Sequence, residues 1–506
     1  MTIQQVVLQY ETRIIELHLA LAQFRWHHAL YAALLTIALL LFFALGVYAI
    51  RAQLSLVWLP VSGAMAAALA LRLRQMGRSK SRAWRLSRFY ERALQRVKGE
   101  WAGCGITGEE FIDPNHVYAG DLNILGEGSL FELLCIARSS LGRRGLADYL
   151  LETPALEETL ARQDAVRELC ERTDLREEIA TLGEFDFEES HPEIFDDWLN
   201  SPEFAFFRPL PMIAATTSAL LAGIVAAGLL GILPWAIVAI SISPLVAFHA
   251  AAGFVFRNRV NHMADSLRPL LFETRVLRDG LRLLETEQFQ APKLRQMVDQ
   301  VQNSSTSIRK LERLLHALQL RTRDPWIYGP SLALLAGTQL CIAVEQWRSK
   351  HGKALRVWLK AWSEFEALNC LAAYSYENPE NTFPEFASSE TCFQACDLGH
   401  PLLSRASCVT NDIELNRDSR FYVISGSNMS GKKHAAANHR TQCRARVRWG
   451  PRAGPISSNV RAFDFWVTFA GGFFAQWQIQ VSRRTRPAAS GDPIGDTESA
   501  RIISSG

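Results

Sequence analysis

Ala29–Ile50 runs for 22 residues without an acidic residue, lysine or arginine, a stretch that must be hidden from water in either lipid or protein. A second such run, Leu54–Leu71, follows after only Arg51, Ala52 and Gln53. Leu210–Ile232 and Trp235–Val255 make another close pair around Pro234. Each run is near the roughly 20 residues a helix needs to cross hydrocarbon. Basic residues crowd the outer ends of both pairs. Arg72, Arg74, Arg78, Lys80, Arg82, Arg85 and Arg88 follow the first, and Arg257 and Arg259 follow the second. The positive-inside rule then places both termini and the chain between the pairs on the cytoplasmic side of a membrane of the bacterial inner-membrane type. The polar stretch before Ala29 argues against a cleaved signal peptide. The alternative is a soluble helical protein that buries both pairs in its own core.

The rest of the chain is long enough for several domains. Residues 128–182 show apolar positions at helical spacing, broken at Glu152-Thr153-Pro154. Residues 264–322 continue the pattern, with Leu267, Leu270, Leu271, Val276, Leu277, Leu281 and Leu284 on one stripe that reads as core packing. Composition changes from Asn378, where Pro379, Pro384 and Pro401 punctuate a loop-rich stretch before the strand-like Phe421–Ile424. The nine cysteines form no C-x-x-C pair, and Cys392 and Cys396 have no histidines beside them, so reduced thiols rather than a zinc site are expected. The net charge of +3 conceals an asymmetry: residues 433–506 hold 11 Lys and Arg against 4 Asp and Glu, which leaves residues 1–432 at −4. A net-negative body excludes a generally basic nucleic-acid binder.

One motif carries sharp chemistry. Gly426-Ser427-Asn428-Met429-Ser430-Gly431-Lys432 fits G-x-x-x-x-G-K directly after Phe421–Ile424. In such a loop glycine lets backbone N–H groups turn inward around phosphates, and the lysine reaches the terminal phosphate oxygens. The next position should supply a hydroxyl to Mg²⁺, but it is Lys433, whose ammonium repels a cation.

These residues resemble the MutS family of DNA mismatch-repair ATPases. SGSNMSGK is similar to that family's loop, T-G-P-N-M-G-G-K-S-T. Gly399-His400-Pro401-Leu402-Leu403, Val409-Thr410-Asn411-Asp412-Ile413 and YSYENPENTFPEF at 374–386 are similar to the segments that lead into it. SLFELL, SSLGRRGLADYLL and RQDAVREL resemble the first helices of the family's core. The likeness covers about 115–190 and 365–432 of this chain. It implies ATP and Mg²⁺ as cofactors, a homodimer, and DNA as a partner beside the lipid bilayer. The family's mismatch-reading domain has no counterpart before residue 115, and Phe89-Tyr90-Glu91 matches its Phe-x-Glu wedge only by coincidence in a basic helical stretch. Mismatch preference is therefore not expected, and any DNA binding should be weak and salt-sensitive. An ABC-type transporter shares the loop but needs several more contiguous spans.

The tail departs abruptly from the rest. Residues 1–432 contain 66 leucines and residues 433–506 contain none. Read one base later, degenerate codons for 433–455 admit GKSTLLRTIGLNAVLAFAGAPVRA at every junction, and the Trp449–Gly450 junction is fixed as a glycine codon. A frame displaced after Lys432 accounts for Lys433, for the missing leucines, and for the absent acidic pair, dimer signature and catalytic histidine of the family.

The expected fold is mainly α: two transmembrane helical hairpins, a MutS-like helical core and the start of a P-loop α/β ATPase domain. The expected order is 1–90 with the first hairpin, 91–205 core helices, 206–260 second hairpin, 261–377 helical return, 378–432 ATPase start and 433–506 out-of-frame tail. The expected function is a membrane-anchored, ATP-binding relative of the mismatch-repair ATPases with a broken ATPase. The alternative is a non-enzymatic membrane scaffold with a vestigial ATPase domain.

Overall fold

A computed structural model describes residues 1–52, 58–183, 193–202, 210–386, 393–405, 408–415, 448–449, 462–469 and 473–480. It is mainly helical. The helices are α1 (Ile3–Ala52), α2 (Trp58–Lys98), α3 (Leu130–Leu134), α4 (Ser140–Leu151), α5 (Leu156–Cys170), α6 (Thr173–Ala180) and α7 (Ile194–Asn200). They continue as α8 (Leu210–Leu229), α9 (Trp235–Ser266), α10 (Arg268–Thr286), α11 (Pro292–Val301), α12 (Ser304–Arg323), α13 (Pro325–Ala333) and α14 (Ala336–Glu377). The strands are β1 (Glu385–Phe386), β2 (Phe393–Leu398), β3 (Asn411–Leu415), β4 (Arg448–Trp449), β5 (Ala462–Phe469) and β6 (Phe473–Gln480). The first four form one sheet in the order β1-β4-β2-β3, and β5 and β6 pair antiparallel. Two compact units result, each from separated pieces of chain. One holds Met1–Ala137, Leu146–Glu184 and Ala367–Gly506; the other holds Arg138–Gly145 and Phe185–Glu366.

In the first unit α1 and α2 run antiparallel. Val6, Tyr10, Leu17 and Leu21 on α1 bury against Ala83, Leu86, Tyr90 and Ala93 on α2, one helical face from each. The pair is pinned by polar contacts that hydrophobic packing alone would not specify. Arg96 donates from Nε and Nη2 to the Glu377 carboxylate at 2.9 and 2.6 Å, with side chains only 9% and 2% exposed. Burial works against the Arg96 charge, but Glu377 more than restores it, so the guanidinium stays ionised. Losing either partner strands a charge in apolar surroundings, at a cost of about 3–5 kcal/mol. Glu177 of α6 is held in the same way, accepting from Arg13 at 3.0 and 3.1 Å and from the Tyr90 hydroxyl at 2.6 Å. Phe89-Tyr90-Glu91 is thus structural: Phe89 and Tyr90 pack in the helix pair, and Glu91 meets His18 and Ser87.

In the second unit the leucine stripe of α10 is buried throughout, against Ile308, Leu311, Leu315 and Leu318 of α12. Trp362 of α14 is fully buried beside Gly280, where a β-carbon would overlap its indole ring. That close approach explains a glycine in the middle of a helix.

Among the described residues, three helices are long and apolar enough to cross a membrane: Ile3–Tyr48 within α1, Met212–Leu229 within α8, and α9. The protein covers only 6%, 11% and 17% of their most apolar 18-residue stretches, so these faces are not buried cores of a soluble bundle. The expected fourth run, 54–71, begins outside the described residues, and its described part, Trp58–Leu71, ends at Arg72.

Two glycines test the packing. In an open helix position alanine gains up to about 1 kcal/mol over glycine. Gly77 of α2 has nothing within 4 Å of an added β-carbon, so Gly77→Ala should raise the thermal midpoint. Gly280→Ala should lower it, because overpacking against Trp362 costs about 1–3 kcal/mol. A Gly280→Ala protein as stable as the parent would contradict the α10–α14 packing.

Candidate functional site

The segment that approaches the glycine loop starts where α14 stops. Asn378 ends the helix, its backbone N–H and side-chain amide both donating to the Tyr374 carbonyl at 3.0 and 2.8 Å. β2 and β3 then pair antiparallel, Phe393 opposite Leu415 and Ala395 opposite Ile413, with an irregularity between Ala395 and Leu398. At that irregularity Asp397 adopts φ +52°. Its N–H donates to Asp412 at 2.8 Å, and its carboxylate accepts from Thr410 at 3.2 Å. His400 is 8% exposed, and its Nδ1 accepts from the Leu402 N–H at 3.2 Å, folding the His-Pro-Leu turn back on itself. The proton of a neutral ring therefore sits on Nε2.

The chain after β3 lies outside the described residues. Phe421–Ile424 and every residue of the predicted phosphate loop, Gly426, Ser427, Asn428, Met429, Ser430, Gly431 and Lys432, fall there. What is described is the approach: two strands and a turn made from the same residues that carry the resemblance. From the tail, Arg448 and Trp449 of β4 lie between β1 and β2, parallel to the first and antiparallel to the second.

Chemistry absent from the sequence reading is concentrated in the second unit. Glu366 of α14 and Glu273 of α10 are each 1% exposed. The Glu366 carboxylate accepts from the N–H groups of Arg138 and Ser139 at 2.7 and 3.2 Å and from the Ser139 hydroxyl. Glu273 accepts from the Ser140 hydroxyl at 2.9 Å. Trp362 Nε1 donates to the Ser139 hydroxyl at 3.3 Å. Burial drives the Glu366 carboxyl from an ordinary 4.5 up to about 7, the Glu273 charge adds to the rise, and the three donors oppose it. The signal was present in sequence as single glutamates inside apolar runs, LLFETRVL and FEALNCLAA. Their serine partners lie 133 and 227 residues away, beyond any local pattern.

Both carboxyls lie inside the unit, shut off from solvent. Among the described residues no group of three or more His, Cys, Asp or Glu could hold a metal ion. The Cys170 thiol is pushed up by burial, away from reactivity. No protein-family model matches this chain, and no curated protein matches it significantly.

The fold prefers protonated Glu366. The stability from this group is complete below about pH 4.5 and is lost as pH rises through about 7. Glu366→Gln keeps the shape and the acceptor for the two N–H groups but cannot ionise. The unfolding free energy of the parent minus that of the variant should therefore fall on the order of 3 kcal/mol between pH 4.5 and 7.5. Parallel pH profiles for the two proteins would contradict the assignment.

Proposed function

We infer that this chain is a membrane-anchored relative of the MutS ATPases whose nucleotide-binding domain has lost hydrolysis. The observation that carries the reading is the sequence Gly426–Lys432 directly after the β-branched, aromatic run Phe421–Ile424, preceded by His400-Pro401-Leu402 and Asn411-Asp412-Ile413. The ordered turn at His400 and the pairing of β2 with β3 support it, because they form strand and turn from motif residues that precede the loop in sequence. Two helical hairpins cross the bilayer, with basic flanks and both termini in the cytoplasm. The uncovered faces of α1, α8 and α9 support that anchoring.

The loop suits phosphate but not the metal. Gly426 and Gly431 permit inward-facing amides, and Lys432 supplies a cation for a phosphate oxygen. Lys433 offers no oxygen and repels Mg²⁺, so the residues present do not fit the metal. Loop amides also need a helix behind them, and the arginine-rich run after Lys433 has no apolar stripe to dock on a sheet. These features favour the second reading, a membrane scaffold with a vestigial nucleotide domain, for the chain as it stands. DNA contact belongs to the ancestry: the body is net negative, and Phe89-Tyr90-Glu91 is occupied in packing.

The purified 506-residue chain should show negligible ATP hydrolysis and at best weak nucleotide binding. Removing one base near codon 433 should restore a Ser-Thr pair, a leucine-bearing helix and Mg²⁺-dependent ATP binding. Ordinary enzymatic turnover by the 506-residue chain, abolished by Lys432→Ala, would overturn the displaced-frame reading.

A further inference from the structure

Between Asp324 and Glu345 lie 20 residues without a charged side chain, Pro325–Val344. They are not one helix. They form α13, a break at Leu334–Leu335 with Leu335 at φ +51°, and the first turns of α14. α13 packs against α9, and the break touches α8, so the segment lies beside the second apolar pair.

The break is satisfied from within. The Leu334 carbonyl accepts from the Ser218 hydroxyl of α8 at 3.1 Å and from the Gln339 amide at 3.0 Å, and Gln339 also donates to Ser218 at 3.1 Å. Irregular backbone at membrane depth is tolerated only on this condition. Ser218 stands eight residues into α8 from Leu210, or about 12 Å at 1.5 Å per residue. α13 has nine residues, and nine more separate the start of α14 from Glu345, so each arm is about 14 Å long. All three lengths put the break a little under halfway through a hydrocarbon core of about 30 Å.

Polar groups sort as this depth requires. Asp324 caps α13 at its mouth, accepting from the Trp326 N–H at 3.0 Å, and Glu345 pairs with Arg348 at 2.8 Å as the second arm leaves. Arg321 turns inward: it is 4% exposed, donates to Ser331 at 3.0 Å, stacks over Tyr328 and lies against Gly337. Trp326, at 89% exposure, faces outward, and Ile327 and Leu334 keep about 40% of their surface open beside it.

We propose that Pro325–Val344 is a re-entrant membrane element, a helix–break–helix that dips into the same leaflet beside α8 and α9 and presents Trp326, Ile327 and Leu334 to lipid hydrocarbon. The proposal rests on the membrane reading of α8 and α9. A spin label on an encoded keto residue, placed singly at 326, 327 or 334 of the full chain in phosphatidylcholine–phosphatidylglycerol vesicles, tests it. Labels that lower the thermal midpoint are discarded in favour of the neighbouring site. Position 240 on α9 serves as the lipid control and position 357 on α14 as the water control, both being exposed in the protein. Labels at 326, 327 and 334 should favour collision with oxygen over a nickel chelate, as at 240 and opposite to 357. Nickel-favoured labels at these sites, with 240 oxygen-favoured, would overturn the re-entrant element and leave the membrane spans standing. A nickel-favoured label at 240 would overturn both.

Discussion

The structure depends first on apolar helix surface that the protein does not cover. A soluble hairpin turns its hydrophobic face onto a core, and α1 does so only in its first half, where Val6, Tyr10, Leu17 and Leu21 meet α2. Beyond Ala29 the same helix is apolar on every side, and leucine, isoleucine and phenylalanine at 37–43 stand exposed. α8 and α9 repeat the condition. A helix hydrophobic all round needs an apolar surround, and lipid supplies one without further protein. Each leucine, isoleucine, valine or phenylalanine moved into lipid contributes roughly 0.3–0.6 kcal/mol, which over about 20 residues outweighs the scattered polar groups. One of those is Thr217, whose hydroxyl lies 2.7 Å from His249 Nε2 and donates to the Ile213 carbonyl.

Long-range contacts organise the polar interior of the body. Arg96–Glu377 joins the end of the helix emerging from the first apolar pair to the last residue of α14, where the chain turns toward the glycine loop. Glu366 lies eleven residues earlier on α14, held by the Arg138 N–H and by Ser139 just before α4. α14 thus carries a fixed ion pair at its end and a protonatable carboxyl before it. Buried polar contacts of this kind contribute register more than net stability, since their desolvation offsets much of their attraction.

Amphipathic stripes were legible because burial of a helix face leaves a local period. The stripe from Leu267 to Leu284 is buried as its spacing implies. Uncharged runs were legible for the same reason, down to the Pro234 turn between α8 and α9. The re-entrant segment was not: Pro325, Gly329, Ser331, Thr338 and Gln339 dilute its hydrophobicity, and its meaning lies in Ser218, more than a hundred residues earlier. The Glu366 cluster was hidden likewise, since a glutamate in a leucine run shows only a misfit until its serine partners are located. The phosphate loop stands in the opposite relation, sharp in sequence and outside the described residues.

The proposed topology has two helical pairs crossing the bilayer, with the intervening and following chain on one side. Reporter fusions that distinguish the two faces of a bacterial inner membrane test it most directly. Fusions in the short connections, after residue 52 and after residue 234, should report the outer face, and fusions after 150 and 350 should report the cytoplasm. Cytoplasmic signals from both short connections would contradict the account.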